Sequence, residues 1–346
     1  MSFKCFISAL LFGAALFQGC SLVDEDLSEC GTDFDMDYQL TLVTNITTEL
    51  ETELSLEANT EIKGMLKDFL LNVFTDFAHD VDLSFYDTEP PMNRLNHMSE
   101  IMDGSESSYR LYLPGRKYRH TAVANLQNNG SVELLDDQQC QTGRLVQKEQ
   151  DGVAQPHKTG LFTARRDLDV LANLGQHFDV RLYMANAASS LVLDLSDAPN
   201  VKDLSVSVSG FATEFHVSDS TYVFPEKRLV VGTTRMDDPE AHRACFVSVH
   251  FPSPSLEDSK LIIDDGGQSA GLSTVPLWGW TIHATMADGT ITESVLEMYN
   301  PLLAGHIKVL TAVMSEEGGV ISTSDSAVGV SVTLDWNSAG GYNSDL

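Results

Sequence analysis

Apolar and polar residues alternate along most of this chain, and one early segment departs from the pattern. In "DYQLTLVTN" (37–45) apolar residues recur at period two, as in a strand with one buried face. In "EIKGMLKDFLLNVFTDF" the spacing changes. Ile62, Met65, Leu66, Phe69, Leu70, Val73, Phe74 and Phe77 fall three or four apart, which predicts a helix with one apolar face. "VDLSFYD" (81–87) returns to period two with Val81, Leu83 and Phe85 on one side, and Pro90-Pro91 ends it. "YRLYLPGRKYRHTAVAN" (109–125) predicts two strands joined at Pro114-Gly115.

The second half predicts strands almost throughout: 177–197, 201–215, 243–252, 278–296 and 306–314. A hairpin signal stands at Asp288-Gly289. Strands spaced about 8–15 residues apart, with turn residues between them, predict β-sandwiches. Residues 145–159 ("LVQKEQDGVAQPHKT") lack apolar periodicity and carry Gly and Pro, so a domain boundary is expected there. The expected organisation is all-β: one sandwich domain over 37–150 carrying an inserted helix, and a second over 160–346. In "AVGVSVTLDW" (327–336), Val328, Val330, Val332, Leu334 and Trp336 share one face and Gly329, Ser331, Thr333 and Asp335 the other. Such a strand buries one face and solvates the other. It reads either as the last core strand of the second domain or as a strand at a pairing edge. The polar "NSAGGYNSDL" follows it.

The first residues follow another pattern. Lys4 precedes an almost continuous apolar run, Cys5 to Phe17. A membrane-spanning helix needs about 20 such residues, so the run is short for a span and fits the core of a secretory signal. It leads into Gly19-Cys20. A small residue before cysteine suits a lipoprotein signal covering 1–19, with Cys20 as the lipidated first residue of the mature chain. Phe17 and Gln18 depart from the strict form of that box. Cleavage elsewhere, with Cys20 incidental, is the alternative. A cysteine carrying two or more acyl chains anchors stably, whereas one chain holds only marginally. Residues 20–36, with Asp24, Glu25 and Asp26, read as an acidic tether.

Charge narrows the partners. The 346 residues carry 50 acidic and 21 basic side chains, a formal net charge of −29. Nucleic-acid binding needs clustered Lys and Arg, and "GRKYRH" (115–120) is the most basic stretch, short and isolated. The hydrophobic fraction of 42% suffices for packed cores. Beyond Cys5 and Cys20 the cysteines are Cys30, Cys140 and Cys245. An exported chain meets an oxidising compartment. A Cys30–Cys140 bridge would tie the start of the first domain to its last segment and leave Cys245 as a buried thiol. Three free thiols, or a Cys140–Cys245 pair, are the alternatives.

Catalytic patterns are missing. There is no G-x-S-x-G elbow, no H-E-x-x-H and no Gly-rich phosphate loop. His216, Asp219 and Ser220 sit close in sequence, but triads are assembled by the fold rather than by adjacency, and turn residues explain them better. Asp264 and Asp265 in "IIDDGGQ" lack the further oxygen ligands of a calcium loop. Trp278 and Trp280 flank Gly279 and share a face, as a sugar-stacking platform or, more simply, as core. No metal, cofactor or enzymatic activity is expected.

Several segments, taken in order, carry a resemblance: "GCSLVDEDLSEC", "VDLSFYD", "YRLYLPGRKYRHTAVANL", "LLDDQQCQTGRL", "DVRLYMANAASSLVLDLS" and "LSVSVSGFATEFHVSDSTY". Together they resemble the minor fimbrial anchor subunits of Bacteroides-type bacteria, the FimB group of lipoproteins. The acidic cluster after Cys20 is similar to the surface-export signal of such lipoproteins. The acidic and helical stretch from about Glu49 to Asp80 departs from the family pattern. The resemblance implies two transthyretin-like sandwiches held in the outer membrane by lipid on Cys20. It implies a non-catalytic role at the base of a fimbrium, affecting its assembly and length. Partners would be shaft or accessory subunits joined by strand pairing, in which main-chain hydrogen bonds give affinity. Related members act as tip or accessory adhesins. A glycan-binding lipoprotein of a polysaccharide-uptake system is the alternative from another class.

Overall fold

The structure, a computed structural model, describes residues 31–40, 60–74, 80–89, 95–100, 108–137, 141–172, 174–255, 275–322 and 328–333. Cys20, Cys30, Cys140, Leu334, Trp336 and the Asp264-Asp265 segment lie outside the described residues. In chain order, β1 (Gly31–Leu40) and helix α1 (Thr60–Val73) are followed by β2 (Val81–Asp87), β3 (Leu95–Glu100), β4 (Ser108–Pro114), β5 (Lys117–Ala124), β6 (Val132–Asp137), β7 (Thr142–Gln147), β8 (Glu149–Gln150), β9 (Val153–Ala154), β10 (Phe162–Asp169) and β11 (Gln176–Met184). Then come β12 (Ala187–Asp194), β13 (Val201–Ser209), β14 (Glu214–His216), β15 (Thr221–Val223), β16 (Val230–Val231), β17 (Thr234–Asp238), β18 (Arg243–His250), β19 (Trp278–Met286), β20 (Ile291–Met298), β21 (Ile307–Met314), β22 (Val320–Ser322) and β23 (Val328–Thr333). Among the described residues the protein is all-β apart from α1.

The first sheet runs β3-β2-β5-β10-β11-β1-β4. Its β10 and β11 pair over only two positions, Phe162 with Met184 and Thr163 with Tyr183. That short join divides it into two halves, and their apolar residues meet in one core. Phe34 and Met36 of β1, Leu111 and Leu113 of β4, and Val81, Leu83 and Phe85 of β2 all belong to it. β1 begins six residues before the expected strand. "GTDFDMD" reads as an acidic tether, yet it alternates, with Asp33 and Asp35 outward and Phe34 and Met36 buried. Strands β4 and β5 adjoin at Pro114-Gly115 as expected, but they do not pair. β4 pairs with β1, and β5 lies between β2 and β10. Where the chain crosses, a Cβ on Gly115 would sit 2.8 Å from the Ala172 backbone nitrogen. Only glycine allows that approach.

Helix α1 fits the predicted period. Ile62, Leu66, Leu70, Val73 and Phe74 are buried. An isolated helix of this length is marginal in water, so packing sustains it, at about 2 kcal/mol for each large side chain buried. The helix also contacts β17 and β18. Its core continues into Ala188, Val192, Cys245, Val247, Val249, Ile307 and Val309, on one face of the sheet β17-β18-β12-β21-β22. The other face of that sheet presents Leu191, Leu193, Phe246, Leu310 and Ala312 to the sheet β23-β20-β19-β13-β16-β9-β8. The five-stranded sheet is therefore a middle layer. This is why β12, "AASSLVLD", is buried on both faces, a pattern usual for strands with both faces covered.

A fourth sheet, β15-β14-β7-β6, ties the halves together. β7 pairs with β14 across some 70 residues of sequence, Leu145 opposite Phe215. Its apolar residues meet Val123, Leu161, Ala185 and Phe251. Beyond the 150/160 division expected from sequence, β10 and β11 pair with β5 and β1 of the first sheet. Before it, β8 and β9 already join the last sheet through β16. The chain thus passes between the two sandwiches more than once, and a linear cut does not separate them.

Candidate functional site

The partner-strand candidates Val328, Val330 and Val332 lie in β23, at the end of the last sheet's strand order. β23 pairs antiparallel with β20: Val328 opposite Met298, Val330 opposite Leu296, Val332 opposite Ser294. Directly opposed residues share a sheet face. Met298, Leu296 and Ser294 are all buried, so the valine positions stand on the core-facing side and Gly329, Ser331 and Thr333 on the other. β20 occupies one side of the strand; among the described strands nothing pairs along the other. An edge strand of this kind offers a row of backbone donors and acceptors to an added strand.

The other sequence candidates are accounted for locally. His216 Nε2 lies 2.8 Å from Glu214 Oε1. Asp219 Oδ1 accepts from the Thr221 backbone N–H and hydroxyl, at 3.2 and 2.6 Å, around Ser220 at φ 57°. His216, Asp219 and Ser220 are thus turn and strand-end residues. Trp278 and Trp280 are 1% and 0% exposed. Both belong to the second core, and the Trp278 indole N–H donates to the Asn300 carbonyl at 2.9 Å. Neither presents a stacking face to a sugar.

The basic stretch is spent internally. Arg116 Nε pairs with Asp87 at 2.7 Å, both buried, and Arg119 lies 3.7 Å from Asp167. His120 is buried and stacked on Phe85, ring centroids 4.3 Å apart. Among the described residues one group could bring metal-ligand atoms together, Asp37, His177 and Asp179, within 4.8 Å of one another. His177 Nε2 already sits 3.0 Å from Asp37 and 3.6 Å from Asp179. Three such groups on an open sheet face fall short of the four ligands of a structural zinc site.

One buried polar cluster among the described residues was not foreseen from sequence. His157, Gln147 and Asn186 are buried where the sandwiches meet. Gln147 Nε2 donates to the Ser131, Lys148 and Gln155 carbonyls. Its Oε1 therefore faces His157 Nε2, 2.7 Å away, and must accept. Asn186 Nδ2 lies 3.3 Å from His157 Nδ1 and, as a donor, needs a lone pair there. The network fits a neutral imidazole protonated on Nε2. His250 is also buried. Its Nδ1 donates to the Phe251 carbonyl at 2.7 Å, and Ser189 Oγ stands 2.9 Å from Nε2. Burial draws both histidines down to about 3, and His120 to about 4. A base so hard to protonate and shut away from solvent has no access to a substrate. The cluster is a structural joint. Cys245 is fully buried as expected, its sulfur 3.2 Å from Ser190 Oγ. Among the described residues no helix is long and apolar enough to cross a membrane.

No family model and no curated protein matches the chain. Solved structures resemble it at low identity. One is a putative adhesin from Bacteroides ovatus ATCC 8483, at 12% identity and TM-score 0.49, covering 81% of this chain and 87% of that one. A second putative adhesin from Bacteroides ovatus has 11% identity and TM-score 0.48, covering 93% and 99%. The fimbrial anchor protein Mfa2 from Porphyromonas gingivalis has 9% identity and TM-score 0.45, covering 88% and 99%. At these values the likeness transfers no role to this chain.

Proposed function

We propose that this protein is a non-catalytic surface lipoprotein. Lipid on Cys20 holds it in the outer membrane. It anchors a fimbrium there by pairing backbone with a fimbrial subunit, and so influences fimbrial assembly and length. The observation that carries the reading is the position of β23: an alternating strand at the end of a sheet, with no described strand paired along its other side. The signal-like run ending in Gly19-Cys20 and the acidic tether after it support export and anchoring.

Two predictions test it. Replacing Cys20→Ala should move the protein from membrane to soluble fractions; a variant that still takes up a clickable fatty acid during growth removes Cys20 as the anchor. For the joint, Val332→Asp places a charge opposite buried Ser294, where it cannot be solvated without cost. Cells carrying it should shed fimbriae while keeping the protein in the membrane. Ser331→Asp, on the opposite face, should be nearly silent. Thermal melts of both purified variants separate a lost joint from a lost fold. A Val332→Asp protein that melts normally and still retains fimbriae moves the joint to another part of the chain.

A further inference from the structure

β10 and β11 part after two paired positions, and a pocket of about 320 Å³ opens at the parting. Thr163, Arg165 and Tyr183 line it on the side of the first sheet. Thr163 and Tyr183 are opposed in the ladder, so they share a sheet face. Arg165, two residues further along β10, lies on that face too. Phe162 and Leu182, at the alternate positions, belong to the core behind it. Phe215 and Tyr222 of the β14–β15 hairpin, with Ser220 of the turn between those strands, line the pocket from the other side. That second wall is held in place: the Tyr222 hydroxyl donates to the Ala185 carbonyl at 2.9 Å, and the Tyr222 and Phe215 ring centroids are 4.5 Å apart.

Arg165 is the charged group of this pocket. Its side chain is exposed, and among the described residues it has neither an ion pair nor a hydrogen bond. In a chain with 50 acidic and 21 basic side chains that is uncommon. Arg110, Arg116, Arg119, Arg144, Arg235 and Arg243 each reach a carboxylate within 3.7 Å. The acids of the β14–β15 hairpin are engaged elsewhere, Glu214 by Arg144 at 2.9 Å and Asp219 by the Thr221 hydroxyl at 2.6 Å. A guanidinium presents a planar fork of donors that matches a carboxylate. Tyr183 is 55% exposed, and its hydroxyl has no partner among the described residues. It adds a ring that is apolar on its faces and polar at its tip.

We propose that this pocket binds a compact organic carboxylate, with Arg165 holding the carboxylate group and the aromatic walls taking the body of the ligand. Sites for small molecules combine an apolar and aromatic lining with a few polar groups, lie often where domains meet, and enclose about 300–1,000 Å³. This pocket has that make-up and lies at the lower end of that range. A ligand the size of one sugar ring or one benzene ring with a short acidic arm suits it. The hydroxyl-bearing residues Thr163 and Ser220 favour a sugar acid, and the Phe215 and Tyr222 rings an aromatic one. The carboxylate is common to both. None of these residues belongs to β23, so the pocket stands whether or not that strand joins a fimbrial subunit.

Saturation-transfer NMR titrations of the purified full chain test it, with four probes: glucuronate, 3-phenylpropionate and their neutral counterparts glucose and 3-phenylpropanamide. At least one acid should bind with a dissociation constant near about 1 mM, the ordinary yield of a ligand of about a dozen non-hydrogen atoms. Its neutral counterpart should bind about ten-fold more weakly, as befits the loss of one charge-assisted pair. Binding of glucuronate alone identifies an acidic sugar as the source of the carboxylate, and binding of phenylpropionate alone an aromatic acid. Arg165→Gln should weaken the acid about ten-fold and leave the neutral probe unchanged. Arg165→Lys should fall between, since it keeps the charge and loses the fork. Tyr183→Ala should weaken both members of the pair a few-fold. Arg165 and Tyr183 are exposed, so thermal melts of these variants should match wild type. Two results overturn the proposal: neither acid binding below about 10 mM, or an acid whose affinity is the same in wild type and in a folded Arg165→Gln protein.

Discussion

Lowering the pH from 7.5 to 5 should destabilise this protein by about 6 kcal/mol through three buried histidines alone. His120, His157 and His250 are held at about 4, 3 and 3 by burial, whereas an unfolded histidine titrates near 6.5. The folded values are depressed, so between about 3–4 and 6.5 the unfolded chain binds the extra protons. Stability from these groups is complete above 6.5, falls as pH drops through that window, and levels off below the folded values. At pH 5 each contributes a loss of about 2 kcal/mol relative to pH 7.5. A typical domain has 5–15 kcal/mol in total.

The hydrogen bonds add a reason specific to His157. Protonating Nδ1 would turn two donors toward each other, since Asn186 Nδ2 already occupies that side. His250 is more tolerant, because a hydroxyl at Ser189 can rotate from donor to acceptor. Denaturant unfolding followed from pH 7.5 to 5 measures the effect. His157→Gln with His250→Gln should cost stability at pH 7.5 but remove about two thirds of the pH slope. Stability that stays constant across the window would falsify the account, because a neutral buried imidazole cannot avoid the linkage.

How far the sequence displayed this fold depended on the range of the contacts. Period was enough for α1, where Ile62, Leu66 and Leu70 recur on one face, and for β2, whose span matches "VDLSFYD". The hairpin at Asp288-Gly289 was legible because turn chemistry is local: Gly289 has φ 89°, and Asp288 accepts the Thr290 N–H at 2.9 Å. That bond lowers the Asp288 carboxyl below its ordinary value. Long-range pairing was not legible. β1 lies parallel to β11, Phe34 opposite Gln176, and no local pattern marks two strands so far apart as neighbours. The division at 145–159 followed from composition. The structure spends those residues on β7, on the β8–β9 pair and on the His157 joint. Gln147 and His157 are buried there because each finds a partner, which hydropathy cannot show. The edge candidate fared differently. The period of the segment predicted which residues share a face, but only the strand order showed that β23 (Val328–Thr333) is outermost among the described strands of its sheet.

Replacing Arg116→Ala should cost 3–5 kcal/mol, a large effect for a residue that a sequence reading would count as surface charge. Arg116 Nε lies 2.7 Å from Asp87 Oδ2, with the two side chains 7% and 1% exposed. The Arg116 guanidinium also donates to the Glu89 carbonyl at 3.1 Å. Asp87 Oδ1 accepts the Glu89 N–H at 2.9 Å, and the Asp87 carbonyl accepts from Gln141 at 3.1 Å. The pair therefore fastens the end of β2 to the start of β5, beside the glycine crossing at 115. So little exposure leaves solvent almost no share in screening the charges. Removing one partner strands the other in the interior, and that is the expensive event: about 3–5 kcal/mol for a buried pair. Removing both is milder, because an apolar replacement of similar volume needs no solvation. The expected order of melting temperatures is wild type, then Asp87→Leu with Arg116→Met, then either single variant. Asp87→Asn should fall between, since the amide oxygen can still accept from Glu89. A single variant within 1 kcal/mol of wild type, measured by urea unfolding at neutral pH, would show that water reaches the pair. β2 and β5 would then be held together at that end by their ladder, by the Thr88 N–H donating to the Lys117 carbonyl at 2.9 Å, and by the contacts of Phe85 with Tyr118 and His120.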